Sequence, residues 1–240
     1  MPLTTNLVSY WKLDESSGNA ADSVGGNTLT NNGTVTYSAG KINNAADFDG
    51  STDYLSKTDN AALSITNNLS ISCWINQGAG RITNDIIVAK SMAANLGYEL
   101  RIRNSAGADW APTTYISQTG DNVTEDQWYT ATGYINSTGT WYHIVTTYAS
   151  GTCLIYVNAS SIGLTNSGGT TSIFDNTTAF TVGARADPLE YFHGSIDEVG
   201  IWNRVLSAAE VTTLYNGGAG NQYPFGEAAA AANHWLLMGV

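Results

Sequence analysis

Cysteine is nearly absent from this 240-residue chain, with two, and so are proline, with four, and methionine, with three. Two cysteines cannot build the disulfide framework of a small secreted scaffold, and a chain of this length buries enough apolar surface to fold without one. Basic residues are also few: nine Lys and Arg stand against twenty Asp and Glu, a net charge of −11. Nucleic-acid binding needs a basic patch, so this balance excludes it. The acidity keeps the chain soluble and attracts divalent cations. No apolar run is long enough to span a membrane. Met1 to Asn6 has neither the basic start nor the apolar stretch of a signal peptide. A leaderless chain with the composition of an extracellular module fits a virion component assembled inside a host cell, or an extracellular protein.

The usual marks of catalysis are missing as well. The three histidines, His143, His193 and His234, stand far apart with no metal-ligand spacing. No G-x-S-x-G elbow occurs, and no Gly-rich phosphate loop precedes a helix. A retaining glycosidase needs two carboxylates about 5–5.5 Å apart on one face. Asp197 and Glu198 are adjacent, and neighbours on a regular strand point to opposite faces. The expectation is a non-catalytic protein.

What remains is abundant Thr, Asn, Ser and Gly, the composition of short strands joined by many turns. Leu69 to Asn76 alternates cleanly, with Leu69, Ile71, Cys73 and Ile75 on one face. Tyr98 to Arg103 sets Tyr98, Leu100 and Ile102 against Glu99, Arg101 and Arg103. Cys73 and Cys153 both fall on apolar phases, which predicts buried free thiols, with a single cross-strand disulfide as the alternative. Residues 104–127 lack a pattern and read as a long loop or hairpin over one sheet. Near the end, Ser207 and Glu210 have the spacing of a capping box, Val211, Leu214 and Tyr215 form a stripe, and Gly217 and Gly218 follow where a left-handed cap is wanted. A lone helix after a run of strands must lie on a sheet. The pattern predicts an all-β, two-sheet antiparallel jelly-roll sandwich with one short helix near the C-terminus. It occupies residues 1–224, followed by an Ala-rich, apolar tail over 225–240.

Five stretches carry a family resemblance: Leu7 to Glu15 with Asp22 to Gly25; Ala46 to Gly50 with Asp53 to Leu55; Leu69 to Ile75; Trp141 to Val145 with Leu154 to Asn158; and Gly194 to Val199 with Leu206 to Glu210 and Leu214–Tyr215. In order and content they resemble the laminin G-like, concanavalin A-like lectin and glucanase jelly rolls. The resemblance implies the fold. It also implies a structural calcium tying the N-terminal loop to the Ile196-Asp197-Glu198 strand. Asp22 and Asp197 match best as ligands, and Asp14, Asn27 and then Asp49 less well. The alternative is that Asp22 and Asp49 bond their own turns and that Asp197 pairs with Arg204 or Lys12.

Sugar rings stack on aromatics, and their hydroxyls need polar partners. Trp110 and Tyr115 therefore stand out in the unpatterned stretch, with Asn104, Asp109, Gln118 and Asp121 nearby. Trp128, Trp141, Tyr191 and His193 are further candidates. The expected function is a carbohydrate-recognition module of a phage virion or bacterial surface. A structural or decoration module contacting other protein subunits is the first alternative, and a glycan-cleaving enzyme the second. In the tail, Trp235, Leu236, Leu237 and Met238 form a candidate interface, with homo-oligomerisation or virion subunits as the expected partners.

Overall fold

A computed structural model of the protein describes residues 1–79, 84–104, 110–121, 125–129, 133–166 and 168–226. Two antiparallel sheets form a sandwich. The first contains β1 (Leu7–Trp11), β3 (Thr36–Ala39), β4 (Asn44–Asp49), β6 (Leu69–Gln77), β11 (Trp141–Ala149), β12 (Thr152–Val157), β13 (Ser160–Ser161) and β16 (His193–Trp202). Its order is β13-β12-β11-β6-β16-β4-β3, with β1 also paired to β16. The second runs β14-β10-β9-β8-β7-β15-β5-β2. Its strands are β2 (Thr30–Asn32), β5 (Tyr54–Lys57), β7 (Asp85–Met92), β8 (Asn95–Asn104), β9 (Trp110–Ser117), β10 (Glu125–Tyr129), β14 (Thr165–Asn166) and β15 (Phe180–Val182).

The period-2 pattern of β6 decides the layering. Leu69, Ile71, Cys73 and Ile75 enter the core between the sheets with Ile144, Ile196 and Ile201. Ser70, Ser72 and Trp74 therefore face the other way. That outer face is covered by helix α1 (Ala208–Tyr215), whose Val211 and Leu214 pack with Tyr10, Val145, Tyr156 and Trp202 in a second cluster. Tyr215 stacks on Trp74 at 5.7 Å and on His143 at 6.0 Å. The capping box forms as expected. The left-handed cap, however, is Asn216, with φ 48°, one residue before the glycines. Asparagine tolerates this region because its short side chain bonds locally, and here Nδ2 donates to Gly220 O.

Much of the stretch read as a long loop or hairpin is strand, in β9 and the start of β10. Residues 95–104 and 110–117 pair in register from Tyr98↔Ile116 to Asn104↔Trp110, and β10 extends the sheet from β9. Pro112 is accommodated opposite Ile102, and its neighbours Thr113 and Thr114 are buried.

Both cysteines are buried and unpaired. They lie on strands separated by β11, and burial pushes the Cys153 thiol up to about 12 and raises that of Cys73 further. A thiolate is the reactive form. A disulfide-exchange reagent is therefore expected to label neither thiol in the folded protein and both in denaturant; rapid labelling of the native state would contradict this burial.

Candidate functional site

Outside the core, the second sheet presents a polar face. On β8, Glu99 and Arg101 occupy the phase opposite to Tyr98, Leu100 and Ile102. Directly across, Glu99 faces Tyr115 of β9, which faces Gln127 of β10. A loop over residues 184–191 closes the other side. It leaves the sheet at Gly183, whose φ is +89° and where a Cβ would lie 2.4 Å from the Phe48 ring, so glycine is required on both counts. The loop is tied back through Ile86 N to Glu190 O.

The result is a groove of about 190 Å³ lined by Met92, Leu96, Glu99, Arg101, Tyr115, Gln127 and Arg185. At roughly 30 Å³ per water, that is the volume of about six waters. Arg101 lies over Tyr115, its Cζ 4.2 Å from the ring centre, and Arg103 lies over Tyr129 at 4.9 Å. Such stacking fixes a guanidinium flat against an aromatic face.

Among the described residues, Glu99, Asp187 and Glu190 are each engaged by arginine. Arg101 Nη2 donates to Glu99 Oε2, and its Nη1 to Glu190 at 3.4 Å. Arg185 grips Asp187 through Nε at 2.6 Å and Nη2 at 3.1 Å, and reaches Glu190 at 3.4 Å. The other Glu99 oxygen accepts from Ser91 Oγ. Burial opposes the Arg101 charge, but Glu99 and Glu190 outweigh it and raise the guanidinium above its usual range. Burial also works against the Asp187 charge, yet Arg185 and the Ala93 N–H hold that carboxyl below its usual range.

The sugar-binding candidates are divided by the pleat. Tyr115 is in the groove. Trp110 lies on the other phase of β9, half-buried and packed against the inter-sheet core. Gln118 accepts from Thr171 N and Oγ1, and Asp121 O accepts from Ser117 Oγ, so both belong to the turn after β9. Asp109 and the Asn104 side chain lie outside the described residues, as do Trp235, Leu236, Leu237 and Met238. Trp128 is buried against Tyr148. Glu99, Arg101, Gln127 and Arg185 were missed. The alternation of Glu99 and Arg101 was visible, but their partners come from other strands. A second surface groove, about 390 Å³ over Ala61 to Asn68 and Asn203, has no aromatic or ionisable lining.

The calcium candidates separate likewise. A carboxylate offers about four lone-pair sites, and Asp22 gives all of them to the backbone: Oδ1 to Tyr10 N and Val24 N, Oδ2 to Gly25 N and Asn27 N. Asn27 donates to Ser9 Oγ, and its carbonyl accepts from Trp11 Nε1. Asp49 caps its own turn through Ser51 N, Thr52 N and Asp53 N. Arg204 pairs with Glu210 rather than with Asp197.

Asp14 and Asp197 do share a neighbourhood, together with Glu198. The β16–β6 pairing slips between Asp197 and Gly200, and Glu198 has φ 53°. This bulge puts both neighbours on the helix-covered side, against the opposite-face expectation of a regular strand. Asp197 Oδ2 accepts from Lys41 N and Ile42 N, while Oδ1 has no partner. Glu198 accepts from Tyr10 Oη and Gln222 Nε2, and Gln222 also bonds Asp14. Burial, reinforced by mutual repulsion, pushes Asp197 up to about 8; burial pushes Glu198 up to about 7. Calcium takes six to eight oxygens. Among the described residues no group of three or more His, Cys, Asp or Glu is arranged to hold a metal ion.

Among solved structures, the chain is similar to domain 4 of AbnA, a GH43 extracellular arabinanase from Geobacillus stearothermophilus, solved with arabinotriose. Identity is 21%, coverage 86% of this chain and 97% of that one, and the TM-score 0.63. The receptor binding domain of botulinum neurotoxin C/D mosaic serotype matches at 16% identity over 89% of this chain and 51% of that one, with a TM-score of 0.67. The binding domain of Paraclostridial Mosquitocidal Protein 1 matches at 17%, over 89% and 52%, with a TM-score of 0.67. The chain thus spans about half the length of these toxin domains, and the likeness is one of fold. No curated protein sequence matches it. Residues 49–212, more than half of the chain, match the sequence profile of one family. The chain belongs to the concanavalin A-like lectin/glucanases superfamily.

Proposed function

We propose that the protein is a non-catalytic carbohydrate-recognition module that binds its ligand in the groove over β8, β9 and β10. The observation that carries this reading is the locking of Glu99, Asp187 and Glu190 by arginine. A general acid must hold a proton and a nucleophile must present a bare oxygen, whereas Glu99, Asp187 and Glu190 are acceptors in fixed ion pairs. Fixed donors and acceptors beside an aromatic suit recognition. The arabinotriose-bound arabinanase domain and the receptor-binding toxin domains are similar in fold, and both support a binding role. An extracellular or virion setting suits the Asn- and Thr-rich, acidic composition.

A glycan array probed with the wild type, Gln127→Ala and Trp110→Ala tests the site. Losing one neutral hydrogen bond is worth about 1 kcal/mol, roughly fivefold in affinity. Gln127→Ala is expected to lose about that much in ligand affinity. Trp110→Ala is expected to melt lower and keep its ligand. Binding indifferent to Gln127 but lost with Trp110 would place the site elsewhere.

A further inference from the structure

Charge in the groove is paired internally and leans negative. Two arginines, Arg101 and Arg185, meet three carboxylates, Glu99, Asp187 and Glu190. An acidic sugar is held by arginine through two parallel N–H bonds from one edge of the guanidinium. On Arg185 the Nε–Nη2 edge is closed by both oxygens of Asp187, and Nη1 is turned to Glu190. On Arg101 Nη2 goes to Glu99 and Nη1 to Glu190, while the remaining Nε is buried and unpaired. On both arginines each Nη nitrogen thus already serves a carboxylate. The protein as a whole carries a charge of −11, which repels a polyanion before contact.

Resting on the sugar-binding reading of this groove, we propose that its ligand is an uncharged glycan, and that uronate, sialylated and sulfated chains are excluded. The arginines act as a rigid frame. They stiffen Glu99 and Glu190, and Arg101 covers the Tyr115 face, so the groove offers oriented hydrogen bonds without net positive charge. Met92, 39% exposed, and Leu96 supply an apolar end for the C–H face of a sugar ring.

Affinity electrophoresis of the full chain through linear arabinan, xylan and dextran, and through polygalacturonate, alginate and heparin, tests the proposal. Each gel is run at low and at high sodium chloride, with Gln127→Ala beside the wild type. The expected result is retardation by at least one neutral polymer, changing less than about twofold with salt and weakened severalfold by Gln127→Ala. Retardation by an acidic polymer that Gln127→Ala weakens and salt abolishes would overturn the uncharged-ligand proposal while leaving the groove as the site. Retardation that ignores Gln127→Ala, or none by any polymer, would overturn the sugar-binding reading itself and the proposal with it.

Discussion

Glu210→Gln is expected to destabilise the protein by about 3–5 kcal/mol, the range for breaking a buried ion pair by removing one partner. Glu210 Oε1 accepts from Arg204 Nη2 at 2.7 Å, and Oε2 from Arg204 Nη1 at 3.0 Å. Oε2 also accepts from Ser207 N at 2.8 Å, closing the capping box. Glutamine keeps one acceptor but aims an NH₂ at donors. It also leaves the Arg204 charge, 7% exposed at the side chain, without a counter-ion. Arg204 in turn donates to Thr5 O and Pro2 O, so the N-terminal segment loosens with the helix. Ser207→Ala, which removes only the cap, is expected to cost about 1 kcal/mol.

The sign with pH agrees. Burial opposes the Glu210 charge, but Arg204 and Ser207 overcome it and bring the carboxyl down to about 2. The folded value lies below the unfolded one. The stabilisation is therefore present above about pH 4.5 and is lost as pH falls towards 2, a gap worth about 3 kcal/mol. Urea melts at pH 7 and pH 3 check this: the wild type should lose most of its advantage over Glu210→Gln at the lower pH. A variant within 1 kcal/mol of wild type at pH 7 would mean the pair contributes nothing net.

Strand β6 and the Ser207–Glu210 box were legible because their signals are local: one period, one spacing, one chain segment. The sandwich followed from them. Strand β9 was not, since Pro112 and two threonines look like loop until the neighbouring strand that pairs with them is known. The bulge at Glu198 was hidden for another reason. A period-2 reading assumes a regular ladder, and a single residue with positive φ reverses every conclusion about which carboxylates share a face. The groove was half visible. The Glu99–Arg101–Arg103 phase can be seen on β8, but Arg185, Asp187 and Glu190 arrive from a loop some ninety positions later, and no spacing announces that meeting. Asp22 was read as a ligand from resemblance; three of its backbone bonds hold its own turn and the fourth ties it to Tyr10 of β1.

The second large effect lies at that bulge. Between about pH 4 and pH 8 the wild type is expected to become less stable as pH rises, and Asp197→Asn to flatten the slope and gain stability at pH 8. The folded pKa values, about 8 for Asp197 and about 7 for Glu198, lie above those of the unfolded chain. The folded state therefore holds protons that the unfolded state has released. The contribution is fully present below about pH 4 and disappears as pH rises through 7 and 8, over a span on the order of several kcal/mol. Because the two groups repel each other, the observed steps belong to the pair. This limb opposes the Glu210 limb, so the two together set a stability maximum at about pH 4. Ionising the pair charges a site closed by Gln222 and by the aromatic strap in which Tyr223 and Phe225 pack on Tyr10. The strap should loosen first, visible as faster amide exchange at residues 219–226 than in β6. The same melts with calcium or a chelator separate protons from metal. Superposed curves are expected, since no group of three or more His, Cys, Asp or Glu among the described residues is placed to hold a cation. A rise in melting temperature on adding calcium at pH 8 would show that the carboxylates hold a cation and would overturn the proton account.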